Sequence, residues 1–209
     1  MNANLRSTSA VLGFPRIGPQ REVKKALEAY WGDKISAEEL LKVAKEQRLN
    51  TYATIKEQGV DFVPTGTFSL YDHVLDMSNT LGIIPEAYAT SGLSQLDTYF
   101  AMARGHQKGG VDLPATEMKK WFDSNYHYLV PEFSEKSEFK LNDNKPVDDF
   151  IEAKEAGYNA RPVILGPLTL LWLGKTSKDA QDPNFNRYSL LPKLAQTYVQ
   201  LFEQLAAAG

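Results

Sequence analysis

The 209-residue chain contains no cysteine. Disulfides, thiolate nucleophiles and thiolate metal sites are therefore excluded within it, and the usage suits a reducing compartment. Histidine is scarce. His73, His106 and His127 lie far apart and form neither HxxxH nor HxH, so no metal site is expected from them. Charge of one sign is also missing: a net charge of −3 and a pI near 5.7 give no general attraction for nucleic acid or anionic membranes. No apolar run approaches the roughly 20 residues of a membrane span, and Met1 to Ala10 holds no apolar signal-peptide core. The phosphate-loop pattern GxxxxGK[ST], the dinucleotide pattern GxGxxG and the GxSxG elbow are absent as well. The expectation is a cytoplasmic protein with no nucleic-acid or membrane partner, in which any cationic site is local.

With 43% apolar residues the chain can still bury a sizeable core. Its most informative stretch is Val11-Leu-Gly-Phe-Pro-Arg-Ile-Gly-Pro-Gln-Arg-Glu-Val-Lys-Lys25. Ser9 to Phe14 reads as a short strand that runs into a Pro/Gly-broken loop and then a charged amphipathic helix. Ligands are held at the C-terminal ends of strands in parallel α/β folds. Arg16, Arg21 and Lys24 fall beside a helix start, whose open N–H groups also favour anions. An anionic small molecule is one reading of this loop; a solvated basic helix start is the other.

Further along, apolar spacing predicts helices over 21–31, 37–57, 70–81, 94–104, 115–122, 147–156, 167–174 and 189–208. Ser36-Ala-Glu-Glu39 is a capping box for the second, and Gly59 closes it. Strands are expected at 61–67, within 123–131, at 162–166 and weakly near 139–141. Gln107 to Pro114 reads as loop, and no two-residue hairpin turn is recognised. Strands separated by helices predict a parallel α/β sheet or barrel. About four strands are countable where a parallel barrel needs eight, so the chain reads as the front part of something larger.

Two clusters carry chemistry. Asp72 and His73 open a helix after the second strand; adjacent helical positions do not face one another, which favours a capping Asp and a surface His over an acid/base pair. Trp121-Phe-Asp-Ser-Asn-Tyr-His-Tyr128 follows Lys119 and Lys120. Asn125 there offers donor and acceptor in one plane, and Trp121 or Tyr126 offers a stacking face, which suits a flat heteroaromatic. An aromatic core strand with satisfied polar tips explains the same spacing.

Taken in order, Leu12-Gly-Phe-Pro-Arg-Ile-Gly18, Arg21-Glu-Val-Lys24, Tyr71-Asp-His-Val-Leu75, Glu117 to Tyr128 and Arg161-Pro-Val-Ile-Leu-Gly-Pro167 resemble the N-terminal region of cobalamin-independent methionine synthases, fungal members most of all. The resemblance implies that residues 1–209 are the N-terminal part of the N-terminal (βα)8 TIM-type barrel of a two-barrel enzyme. It implies methyl transfer from 5-methyltetrahydropteroyltriglutamate to homocysteine, with a zinc ion whose ligands lie in a C-terminal barrel outside this chain. The expected partners are therefore the methylfolate and that second barrel. By motif matching, Lys24 with Arg21, Glu22 and Val23 meets the folate, and Lys120 and Asn125 join from the aromatic segment. No catalytic or metal-ligating residue is assigned within the chain, and the chain alone is expected to be inactive. Members often carry a second basic residue where Gln20 stands here, which weakens the expected hold on a polyanionic tail. An open part-barrel is also expected to self-associate through its uncovered edge. A stand-alone α/β module that holds an anionic pterin-like ligand without chemistry remains the alternative, and a barrel related to uroporphyrinogen decarboxylase is a weaker one that leaves the Asn-Tyr-His segment unexplained.

Overall fold

The computed structural model describes residues 7–209. Its helices are α1 (Glu22–Trp31), α2 (Ala37–Glu57), α3 (His73–Thr80), α4 (Glu86–Ala89), α5 (Gln95–Arg104), α6 (Lys145–Glu155), α7 (Pro167–Leu173) and α8 (Leu191–Ala208). The strands are short: β1 (Val63–Thr65), β2 (His106–Lys108), β3 (Val111–Leu113), β4 (Met118–Lys120), β5 (His127–Leu129), β6 (Glu132–Phe133), β7 (Ala160–Pro162) and β8 (Lys175–Thr176). Contacts divide the chain into two compact units, one up to Leu70 with Pro146–Ile164, the other Tyr71–Lys145 with Leu165–Gly209.

In the first unit, α2 begins as its sequence dictates. The Ser36 hydroxyl accepts the Glu39 amide at 3.2 Å while the Glu39 carboxylate accepts the Ser36 amide at 2.7 Å, which pairs two otherwise orphaned donors. Tyr52 and Ile55 of α2, Val63 of β1 and Ala153 of α6 form a buried cluster. Beneath it, β1 and β7 pair in parallel with Val63 opposite Ala160. Parallel neighbours need a long crossover, and here it runs from Gly66 to Asn159.

The second unit holds the other parallel pair, β6 with β8, in which Phe133 faces Thr176 and is fully buried. Two antiparallel ribbons, β2–β3 and β4–β5, complete its strands. Leu170 and Leu171 of α7 and Leu194 and Leu201 of α8 are wholly buried. The result is a mixed α/β fold with parallel strand pairs.

Several expectations need correction. Ser9 to Phe14 makes only the single bridge Ala10 to Phe62; Leu12 is 80% exposed, so no neighbour extends the ladder. Residues 115–122 form strand β4 instead of a helix, because Met118–Lys120 find partners in His127–Leu129 that outweigh local helical spacing. A hairpin does exist at 106–113: Gly109 and Gly110 both have positive φ, 61° and 82°, as a two-residue turn requires. The ladder expected at 162–166 lies at Ala160–Pro162. It ends where its partner ends, at Gly66, whose φ of 77° and close approach to the Val163 carbonyl leave no room for a side chain. No strand forms near 139–141; Lys140 and Asn142 instead donate to the last carbonyls of the α3 end, Leu81 and Thr80. On α2, where apolar spacing places Leu40, Leu41, Val43, Ala44, Leu49, Tyr52 and Ile55 inward, Leu41 instead faces outward at 48% exposure.

Candidate ligand-binding site

The opening loop and α1 belong to the first unit. Gly18, at φ 84°, reverses the chain so that its carbonyl accepts the Arg21 amide at 3.0 Å and the Ile17 carbonyl accepts the Val23 amide at 3.2 Å. Glu22 folds back over this turn and accepts the Gln20 amide at 3.0 Å. A side chain on Gly18 would push the ends of Glu22 and Gln47 aside, and the left-handed φ itself calls for glycine. Arg21 sits at the N-cap in the left-handed region, φ 62°, with no side-chain cap on the helix. A non-glycine residue held there is strained, and such strain concentrates at functional loops.

The four motif residues therefore share one helix start with different roles. Lys24 is exposed, 3.7 Å from Glu28 one turn on. Arg21 is exposed at the uncapped end, where the helix dipole and its own charge both attract anions. Val23 is 1% exposed and anchors the first turn in the core, so it offers a ligand no side-chain surface. Arg16, grouped with these cations on sequence, donates to the Ser69 carbonyl at 3.0 Å and fastens the loop. Between the loop and α2 runs a groove of about 600 Å³, lined by Phe14, Ile17, Glu22, Gln47, Thr51 and Thr54 among others.

Lys120 and Asn125 lie in the second unit, on the β4–β5 ribbon. Lys120 is exposed at the end of β4 and Asn125 is exposed in the turn. The turn is closed by the Trp121 amide donating to the Tyr126 carbonyl at 2.7 Å, and Phe122 within it has φ 50°. Behind the turn lies a wholly buried carboxylate. Asp72 caps α3 through the Leu75 amide at 2.9 Å, and it also accepts the Leu129 amide at 3.0 Å and the Tyr126 hydroxyl at 2.8 Å. His73 Nδ1 lies 2.9 Å from the same Tyr126 oxygen. The phenol hydrogen is committed to Asp72, so the hydrogen of this contact sits on Nδ1. His73 is no detached surface residue: its ring stacks on Tyr126 and meets Trp121 edge-on at 4.6 Å between centres. Below β5, burial raises the Tyr128 hydroxyl above the ordinary phenol range, aided by the Glu117 and Asp72 charges.

Residues 8–209 match the family described as cobalamin-independent synthase, N-terminal domain. The chain belongs to this family. Among its relatives, a probable 5-methyltetrahydropteroyltriglutamate–homocysteine methyltransferase of Schizosaccharomyces pombe is 54% identical over 207 residues, covering 96% of this chain and 27% of the relative. The enzyme of that name from Saccharomyces cerevisiae is 52% identical over the same share. The one from Caulobacter vibrioides is 49% identical over 97% of this chain and 28% of its own length. The chain thus spans little more than a quarter of the curated relatives it matches.

Among the described residues no group of three or more His, Asp or Glu side chains is placed to hold a metal ion. The zinc that the family resemblance implies finds no donor set in them. No described helix is long and apolar enough to cross a membrane. Sequence reading located Asn125 and Lys120 but missed what holds them. The signal was present in Asp72, three residues before Leu75 as an N-cap should be; its second and third partners lie more than 50 residues away.

Proposed function

We propose that this chain is the methylfolate-binding N-terminal part of a methyltransferase that makes methionine, transferring the methyl group of 5-methyltetrahydropteroyltriglutamate to homocysteine. The observation that carries the reading is the uncapped start of α1, with Arg21 and Lys24 exposed beside it. A triglutamate tail is a row of carboxylates, and cations at a helix N-terminus complement it. Lys120 and Asn125, in the other unit, enter the reading from the motif match alone, as a cation and a planar amide of the kind suited to a pterin or a peptide-like linkage. The names carried by the relatives supply the reaction. In it this chain would bind and orient the methyl donor, which is catalysis by positioning.

The same reading makes the chain part of a (βα)8 barrel and its partner the remainder of a two-barrel polypeptide, acting in the cytoplasm. Zinc bound by that remainder would activate the homocysteine thiolate. The fold supports it through two parallel strand pairs and the helices between them.

Calorimetric titration of the full-length polypeptide with the triglutamate and monoglutamate forms of methyltetrahydrofolate tests the reading. Lys24→Ala should weaken the triglutamate form about tenfold, on the order of one charge-assisted hydrogen bond, and the monoglutamate form much less. Equal affinity of wild type and variant for both forms would remove α1 from the site.

A further inference from the structure

We propose that Asp72 and Tyr126 are positioning residues of the methylfolate site, setting the turn that presents Lys120 and Asn125. The inference rests on the function proposed above, and on geometry that is independent of it.

A two-stranded ribbon with three residues in each strand does not hold its own shape in water. The β4–β5 ribbon is such an element. Its geometry has to come from what it leans on: Tyr128 donates to the Leu173 carbonyl at 3.2 Å, and two further groups of the ribbon meet on one carboxylate. Asp72 is fully buried, which is expensive for a charge unless its oxygens are satisfied. The groups that satisfy it are the α3 amide of Leu75 and two groups of the ribbon, the Leu129 amide and the Tyr126 hydroxyl. The carboxylate therefore holds the ribbon at two points three residues apart, one within β5 and one at the turn. The Tyr126 oxygen in turn receives the His73 amide at 3.2 Å and His73 Nδ1 at 2.9 Å. Trp121 closes the cluster against the His73 ring.

Each candidate ligand contact is the immediate neighbour of a clamped residue. Lys120 precedes Trp121, and Asn125 precedes Tyr126. The turn between them keeps Phe122 at φ 50° with its ring 65% exposed. A strained aromatic facing solvent does nothing for the core, and strain of this kind persists only where surrounding contacts over-determine it. Capping α3 needs one oxygen of Asp72. The other oxygen and the tyrosine hydroxyl serve the turn.

The test uses the full-length polypeptide. Tyr126→Phe deletes one oxygen and keeps the ring packing; Leu201→Ala opens a cavity on α8 of the same unit and controls for lost stability. The dissociation constant for the triglutamate methylfolate should rise on the order of tenfold in Tyr126→Phe, with kcat at saturation held within about twofold. The ¹⁵N signals of His73 should move as Nδ1–H loses its acceptor. Leu201→Ala should lower the unfolding midpoint without changing that constant. Wild-type affinity in Tyr126→Phe, alongside weakened binding in Lys120→Ala or Asn125→Ala, would overturn the positioning role and leave the site standing. Unchanged affinity in Lys120→Ala and Asn125→Ala would remove the ribbon from the site and end the positioning role, while the reading carried by α1 keeps its own test in Lys24→Ala. Equal loss in Tyr126→Phe and Leu201→Ala would reduce Asp72 and Tyr126 to general stability.

Discussion

Arg48 grips Glu152 with two prongs, Nε to Oε1 at 2.7 Å and Nη2 to Oε2 at 2.9 Å, and so joins α2 to α6 across 104 residues of sequence. The same guanidinium lies 3.6 Å from the buried Asp149 and over the Phe68 ring. Arg48→Met would leave two largely buried carboxylates without their fork. Breaking a buried pair from one side typically costs about 3–5 kcal/mol. Urea unfolding should show a loss of that size, and Arg48→Lys should recover only part of it, because an ammonium cannot match both oxygens. A loss below about 1 kcal/mol would mean the pair behaves as a surface contact.

Gly18 and Gly59 share a left-handed φ, 84° and 78°, but only Gly18 has neighbours where a Cβ would stand. Gly59→Ala should therefore cost only backbone strain, about 1–2 kcal/mol. Gly18→Ala must also push aside the flexible ends of Glu22 and Gln47, which adds little to that cost but disturbs the Arg21 and Lys24 helix start that Glu22 folds over. Unfolding free energies for both variants, with folate affinity measured for each, separate the two effects. Equal costs and equal affinities would deny the loop its special packing.

Gly174 ends α7 against the Phe133 ring and the Pro131 carbonyl. Phe133 is fully buried and has nowhere to retreat. Gly174→Ala should destabilise by about 1–3 kcal/mol through overpacking, not through φ. A thermal melt that matched wild type would show that the β6–β8 end is looser than its contacts indicate.

Burial raises the phenols of Tyr52, Tyr99 and Tyr198 above the ordinary value of 10; for Tyr99 the neighbouring Asp76 charge adds to it. A raised native pKa means that the folded protein keeps protons the unfolded chain has already released. Stability should be complete below pH 10 and should fall as pH climbs past it. Denaturant titrations between pH 8 and 11 would register the decline. Tyr198→Phe, whose hydroxyl donates to the Leu165 carbonyl, should make it shallower while lowering stability at neutral pH. A slope that does not change would show that Tyr198 ionises in the native state.

Local signals were legible wherever the information lay within one turn of helix. Ser36 with Glu39, Ser94 with Asp97 and Asp72 with Leu75 start their helices as the residue types require. Apolar spacing put Leu40, Ala44, Tyr52 and Ile55 inside. The motif around Lys24 identified a helix start worth attention, and the structure distinguishes its members by exposure: Arg21 and Lys24 outward, Val23 inward. Strands were harder, because each is two or three residues long and its pairing decides it. Lys119 and Lys120 read as helical until Tyr128 and His127 stand opposite them. The Gly109–Gly110 hairpin was available from its glycines alone and was taken for a flexible loop.

The sequence by itself determined the longer helices, the caps at Ser36, Asp72 and Ser94, and the family, because capping, periodicity and motif order are properties of neighbouring residues and of residue identity. Only the tertiary structure decided that Asp72 holds Tyr126 and Leu129, that Arg48 meets Glu152, and that β1 finds β7. Those choices depend on which distant groups must share a buried space, where an unpaired donor or charge is too costly to leave alone.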